Sequence, residues 1–145
     1  MRTHPLRLSA PLRPIPFAAC AALLAGCPST PPPAPTLSSI QAAIFTPSCT
    51  FSSCHSSAGN AGGLVLEAGV SFANLVGVPA QQSAAAQAGL FRVAPGNPSQ
   101  SFLTIKLAAG TPAAYGDHMP DTGQQLGDAD LNAIAQWISL GAQDD

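Results

Sequence analysis

The sequence predicts an all-α domain of roughly 110 residues, with short helices separated by long irregular loops. Two observations carry that prediction. Apolar residues recur at helical spacing in three places (37–44, 102–107 and 131–138), each bounded by capping or breaking residues. The stretches between are Gly- and Ala-rich, and only Leu64-Val65-Leu66, Leu75-Val76 and Phe91-Arg92-Val93 read as short extended pieces. Loops of that length are awkward in so small a domain unless a site organises them, so something other than side chains is expected at its centre.

Residues 1–26 read as a targeting segment. Arg2, Arg7 and Arg13 form a basic region, and Ile15 to Gly26 is an apolar run of twelve residues. Such a run is shorter than the roughly 20 residues that a membrane span needs. It ends in Leu24-Ala25-Gly26-Cys27, which resembles a bacterial lipobox and implies cleavage before Cys27 and lipidation of that residue. Phe17-Ala18-Ala19-Cys20 fits less well, with a bulky aromatic where Leu is preferred. An ordinary secretory signal that contains a cysteine is the alternative. Pro28 and Ser29 follow Cys27 with no acidic residue, which resembles lipoproteins passed on to an outer membrane. The expected location is thus the periplasmic side of the cell envelope, lipid-anchored.

Residues 27–36 read as the lipidated cysteine and a linker. Five prolines fall between Pro28 and Pro35, which favours an extended spacer rising about 3.1 Å per residue. The remaining 37–145 is the folded domain. In its first helix Leu37, Ile40 and Ile44 share a face, Ser38 and Gln41 fit a capping box, and Pro47 should end it near Phe45. Asn97-Pro98 should start a helix carrying Phe102, Leu103 and Leu107. Asp128 should cap the closing helix, with Asp130 in its positive first turn, Leu131, Ile134 and Ile138 on one face beside Trp137, and Gly141 at its end.

Composition excludes several classes. Only 8% of residues are charged, against about 25% in typical domains, so disorder through high charge is out. Five Lys and Arg oppose seven Asp and Glu, and from Cys27 onward only Arg92 and Lys106 face all seven acids. That balance excludes a basic nucleic-acid binder and makes anionic membrane surfaces poor partners.

The chemistry is announced at Cys49-Thr50-Phe51-Ser52-Ser53-Cys54-His55. A c-type haem is held by two thioethers and by the His that follows the second Cys, which ligates the iron. Adjacent Cys54 and His55 let one side chain bond the porphyrin edge while the next reaches the metal. The cysteines are usually two residues apart; here the gap is four. An electron carrier wants a sixth ligand, and Met119, inside Gly116-Asp117-His118-Met119-Pro120, is the only methionine after Met1. His/Met ligation raises the reduction potential, and Pro120 helps hold such a loop still. A non-ligating Met119 remains the alternative, and neighbouring His118 the rival ligand.

In order, these pieces resemble the small monohaem cytochrome c-like domains of secreted bacterial proteins. The matching segments are Phe45 through His55, Gly59 through Gly63, Val93-Ala94-Pro95-Gly96-Asn97-Pro98, Met119-Pro120, and Asp128 through Gly141. The resemblance implies that Cys49 and Cys54 attach haem c, that His55 and Met119 are its axial iron ligands, and that the protein transfers one electron between redox partner proteins of the cell envelope. It implies a carrier and not an enzyme. It also implies that the first and last helices cross, with Ile40 and Ile44 meeting Ile134, Trp137 and Ile138.

Other readings use the same residues. Cys49 and Cys54 form a disulfide in a haem-free structural or binding module, since export exposes them to an oxidising compartment. Cys49, Cys54, His55 and His118 form a zinc set. A haem peroxidase-like enzyme follows if the sixth iron position is open.

Overall fold

Thr36, not Ser38, starts the first helix. Its Oγ1 accepts the Ser39 N–H at 3.3 Å, and helix α1 runs over Leu37–Ile40. The computed structural model describes Met1 and residues 31–145. The expected signal peptide 1–26, the lipidation site Cys27 and the start of the linker lie outside those residues. Among the described residues no helix is long and apolar enough to cross a membrane.

The first helix does not stop at Phe45. A π-helical turn, Gln41–Phe45, leads into α2, Thr46–Ser48. The Thr46 N–H reaches back five residues to the Gln41 carbonyl, so Pro47 enters as a first-turn residue of a new α segment. There its missing N–H and its ring cost nothing. Gln41 is withheld from the expected capping box because it is buried. Its Nε2 donates to the Leu66 carbonyl at 2.8 Å and to Thr46 Oγ1 at 3.2 Å, and its Oε1 accepts from Ser71 Oγ at 2.7 Å. A polar side chain inside the core is tolerated because each of its bonds is made.

Three short helices follow: α3 (Ser71–Leu75), α4 (Ser83–Gln87) and α5 (Phe102–Leu107). The helix expected at Asn97-Pro98 is split. Pro98–Gln100 forms one 3-10 turn and α5 begins after Ser101, whose fully buried hydroxyl donates to the Asn97 carbonyl and accepts from the Ala94 N–H, both at 2.9 Å. The closing helix α6 runs Asp128–Ser139. Gly127 holds its N-cap position, with Asp128 one residue inside. Both Asp128 and Asp130 therefore lie in the positive first turn, and Gly141, at φ +104°, ends the helix in a conformation that side chains disfavour.

The domain is all-α. Among the described residues there is no β-strand, only isolated bridges pairing Val76 with Val93, Pro79 with Phe91, and Phe91 with Ser101. The main core joins Ile40, Ile44 and Phe45 to Ala133, Ile134, Trp137 and Ile138, so α1 packs on α6. Leu66, Leu75, Val93 and Leu107 complete it. Trp137 buries its ring there and donates Nε1–H to the Gln143 carbonyl at 2.9 Å, which satisfies its one polar atom. A second cluster of Ala80, Ala85 and Leu90 supports Phe102, Ile105 and Tyr115, with Phe102 and Tyr115 edge to face at 5.5 Å.

Candidate functional site

A cavity of about 800 Å³ lies between these clusters. Its apolar wall includes Leu64, Leu66, Leu75, Phe102, Leu103 and Leu107. That volume falls within the roughly 300–1,000 Å³ of cofactor pockets. Cys49, Cys54, His55 and Met119 all line it.

The local chain explains how the cysteines and His55 arrive together. Cys49 follows the last turn of α2, its N–H bonded to the Phe45 carbonyl at 2.9 Å. The spacer then folds back on itself. Cys54 N–H meets the Phe51 carbonyl at 2.8 Å, and His55 N–H meets the Cys49 carbonyl at 3.0 Å. The four-residue gap is therefore a closed turn, not a slack loop, with Phe51 exposed at its tip. Gly59 packs directly on it: a Cβ there would stand 2.6 Å from the Cys54 carbonyl oxygen and 2.7 Å from its nitrogen. Among the described residues both cysteines are free thiols. Burial, and then the neighbouring Cys54, push the Cys49 thiol up to about 11, so it stays protonated at neutral pH.

His55 is oriented by one bond. Its Nδ1 lies 3.2 Å from the Leu64 carbonyl, which can only accept, so Nδ1 carries a proton and the neutral ring's lone pair falls to Nε2. A metal-binding imidazole is commonly fixed in this way. His118 is differently occupied: its Nε2 donates to the Leu107 carbonyl at 2.9 Å, and it does not line the cavity. The four-residue zinc set is accordingly not brought together, and among the described residues no three His, Cys, Asp or Glu side chains gather around one point.

Met119, half-buried, is hung on α5. Its N–H donates to the Lys106 carbonyl at 2.8 Å, while Lys106 Nζ donates to the Tyr115 carbonyl at 3.0 Å and to the Asp117 carbonyl. One residue thus grips the Met119 segment through its backbone and its side chain. Arg92, only 6% exposed, also lines the cavity. The sequence patterns assigned no role to either cation. The available signal was their scarcity, as the only two basic residues beyond Cys27.

No protein-family model, curated protein or solved structure matches the chain.

Proposed function

We propose that this chain is an electron-transfer protein of the cell envelope, carrying one electron through a covalently attached c-type haem in a small cytochrome c-like domain. The observation that carries the reading is that one apolar cavity of cofactor size is lined by Cys49, Cys54, His55 and Met119, drawn from segments 64 residues apart. Signal, lipobox and Pro-rich linker support an exported lipoprotein, anchored through Cys27 on the periplasmic side of the cell envelope. Its partners are redox proteins that dock against the domain.

The chain's residues divide the work. Cys49 and Cys54 would hold the haem through thioether bonds. His55, held by Leu64, would offer Nε2 to the iron, and Met119, held by Lys106, would offer a thioether, which favours the reduced metal. The apolar leucine wall would disfavour the more highly charged oxidation state. Bound there, haem supplies a reversible one-electron couple, and the chain needs no general acid or base.

A reduced-minus-oxidised absorption spectrum of the exported protein, with a denaturing gel stained for covalent haem, tests this. A Soret band and a haem-staining polypeptide are expected. Protein matured with its haem-attachment machinery that shows neither would overturn the proposal in favour of the disulfide-stabilised module. Ready carbon monoxide binding by the ferrous wild type would instead favour the peroxidase-like enzyme.

A further inference from the structure

Arg92 is a buried charge that the protein leaves uncompensated. Its Nη1 donates to the Asn74 carbonyl at 2.9 Å, and its Nη2 to the Gly63 carbonyl at 2.8 Å and the Gly62 carbonyl at 3.3 Å. All three acceptors are neutral. A guanidinium has five N–H donors, so two remain after these bonds, one of them on Nε. No buried polar side-chain atom among the described residues is sealed off without a partner, so the unbonded Nε keeps an accessible face, on a residue that lines the cavity. Among the described residues no carboxylate lies within ion-pair distance of Arg92, and burial alone lowers its affinity for a proton.

Lys106, the cavity's other cation, makes the contrast. Burial acts on it too, but Asp117 and Asp121 stand close enough to oppose the effect. Removing a charge from water without a counter-charge costs several kcal/mol, and a chain with so few charges has little reason to bury one idly. The Nε–H left over can give a carboxylate one charge-assisted hydrogen bond, and the fixed positive charge strengthens it.

We infer that Arg92 is the seat for a carboxylate of the molecule that occupies the cavity. The inference rests on the haem reading, which supplies the carboxylate as a propionate. It places that propionate at the part of the cavity wall that Arg92 shares with Gly62.

The test uses the full chain with Cys49 and Cys54 both changed to Ala, so that binding is non-covalent, titrated with haem and with haem dimethyl ester, whose propionates are masked. The free acid should bind at least tenfold more tightly than the ester. Arg92→Gln in that background should bring the ratio close to one, and Arg92→Lys should restore part of it. If Arg92→Gln fails to fold, Lys106→Gln in the same background decides: a preference for the acid that persists there supports the Arg92 seat, and one that vanishes overturns it. Equal binding of both ligands overturns the carboxylate seat and leaves the haem proposal standing. A preference for the acid that survives Arg92→Gln also overturns it, pointing to Lys106. Binding of neither ligand overturns both.

Discussion

Gly59→Ala is the sharpest probe of how the turn between Cys49 and His55 is built. The new methyl would lie 2.6 Å from the Cys54 carbonyl oxygen, 2.7 Å from its nitrogen and 2.7 Å from the Ser53 carbonyl carbon, where ordinary contact begins at 3.4 Å. All three are backbone atoms, so no side chain can swing aside. Relief requires the Cys54 backbone to retreat by about 0.8 Å, the gap between those distances, and a preorganised site tolerates only about 0.5 Å. The retreat strains the bonds that close this turn, including Ala61 N–H to the Cys54 carbonyl at 3.0 Å and His55 N–H to the Cys49 carbonyl at 3.0 Å. Overpacking of this kind costs about 1–3 kcal/mol, which in a domain of this size lowers Tm by roughly 5–15 °C. Calorimetry of the purified protein reads the stability, and haem stain normalised to protein reads the attachment. Both should fall, with attachment falling further, because Cys54 and His55 move together. A Gly59→Ala protein with wild-type Tm and full haem stain would refute the packing described for this turn.

Met119→Ala should lower the reduction potential and let the ferrous protein bind carbon monoxide. His118→Ala should leave the spectrum unchanged and cost about 1 kcal/mol of stability for its lost bond to Leu107; a spectral change in His118→Ala alone would make histidine the ligand. Lys106→Met should loosen the same segment from a distance, since bonds from a charged donor contribute about 1.5–3 kcal/mol each. Carbon monoxide binding should then rise at least tenfold, with partial recovery in Lys106→Arg, and an unchanged rate would show that Lys106 does not position Met119. In haem-free protein Cys49 should alkylate about a hundredfold more slowly at pH 8 than an ordinary thiol, because a thiol pushed up from 9.0 to about 11 is almost wholly protonated there. The folded chain holds that proton more tightly than the unfolded chain. Haem-free protein should therefore lose stability as pH rises from 9.0 towards about 11, and denaturant titrations across that window check the sign.

The closing helix was legible because twelve residues give a 3.6-residue period room to show, as Ile134, Trp137 and Ile138 do. Ser71–Leu75 and Ser83–Gln87 were not, since five residues span little more than one turn. Pro47 misled for a different reason: its helix-breaking effect assumes an uninterrupted α register, and the π turn before it removes that assumption. Gln41 fits a capping box by spacing alone, but its partners Leu66 and Ser71 are fixed only by the tertiary fold. In the candidate site, Cys49, Cys54, His55 and Met119 each carry a chemistry that their neighbours in sequence betray. The roles of Arg92 and Lys106 depend on backbone carbonyls, which any residue could supply, so the sequence marked them only by their scarcity.

Residues 91–93 act as a crossbar. Phe91 and Arg92 offer their carbonyls to the Phe102 and Leu103 amides at the start of α5, while Arg92 and Val93 give their own amides to Val78 and Leu75, and the Val93 carbonyl takes Gly77. The segment bearing Leu75 and the helix bearing Lys106 are thereby stapled to the same three residues. Neither wall of the cavity can swing out while the crossbar holds, so the domain should breathe as one unit instead of through a hinged flap. Hydrogen exchange would show it: the Arg92, Val93, Phe102 and Leu103 amides should share a single opening free energy close to that of global unfolding.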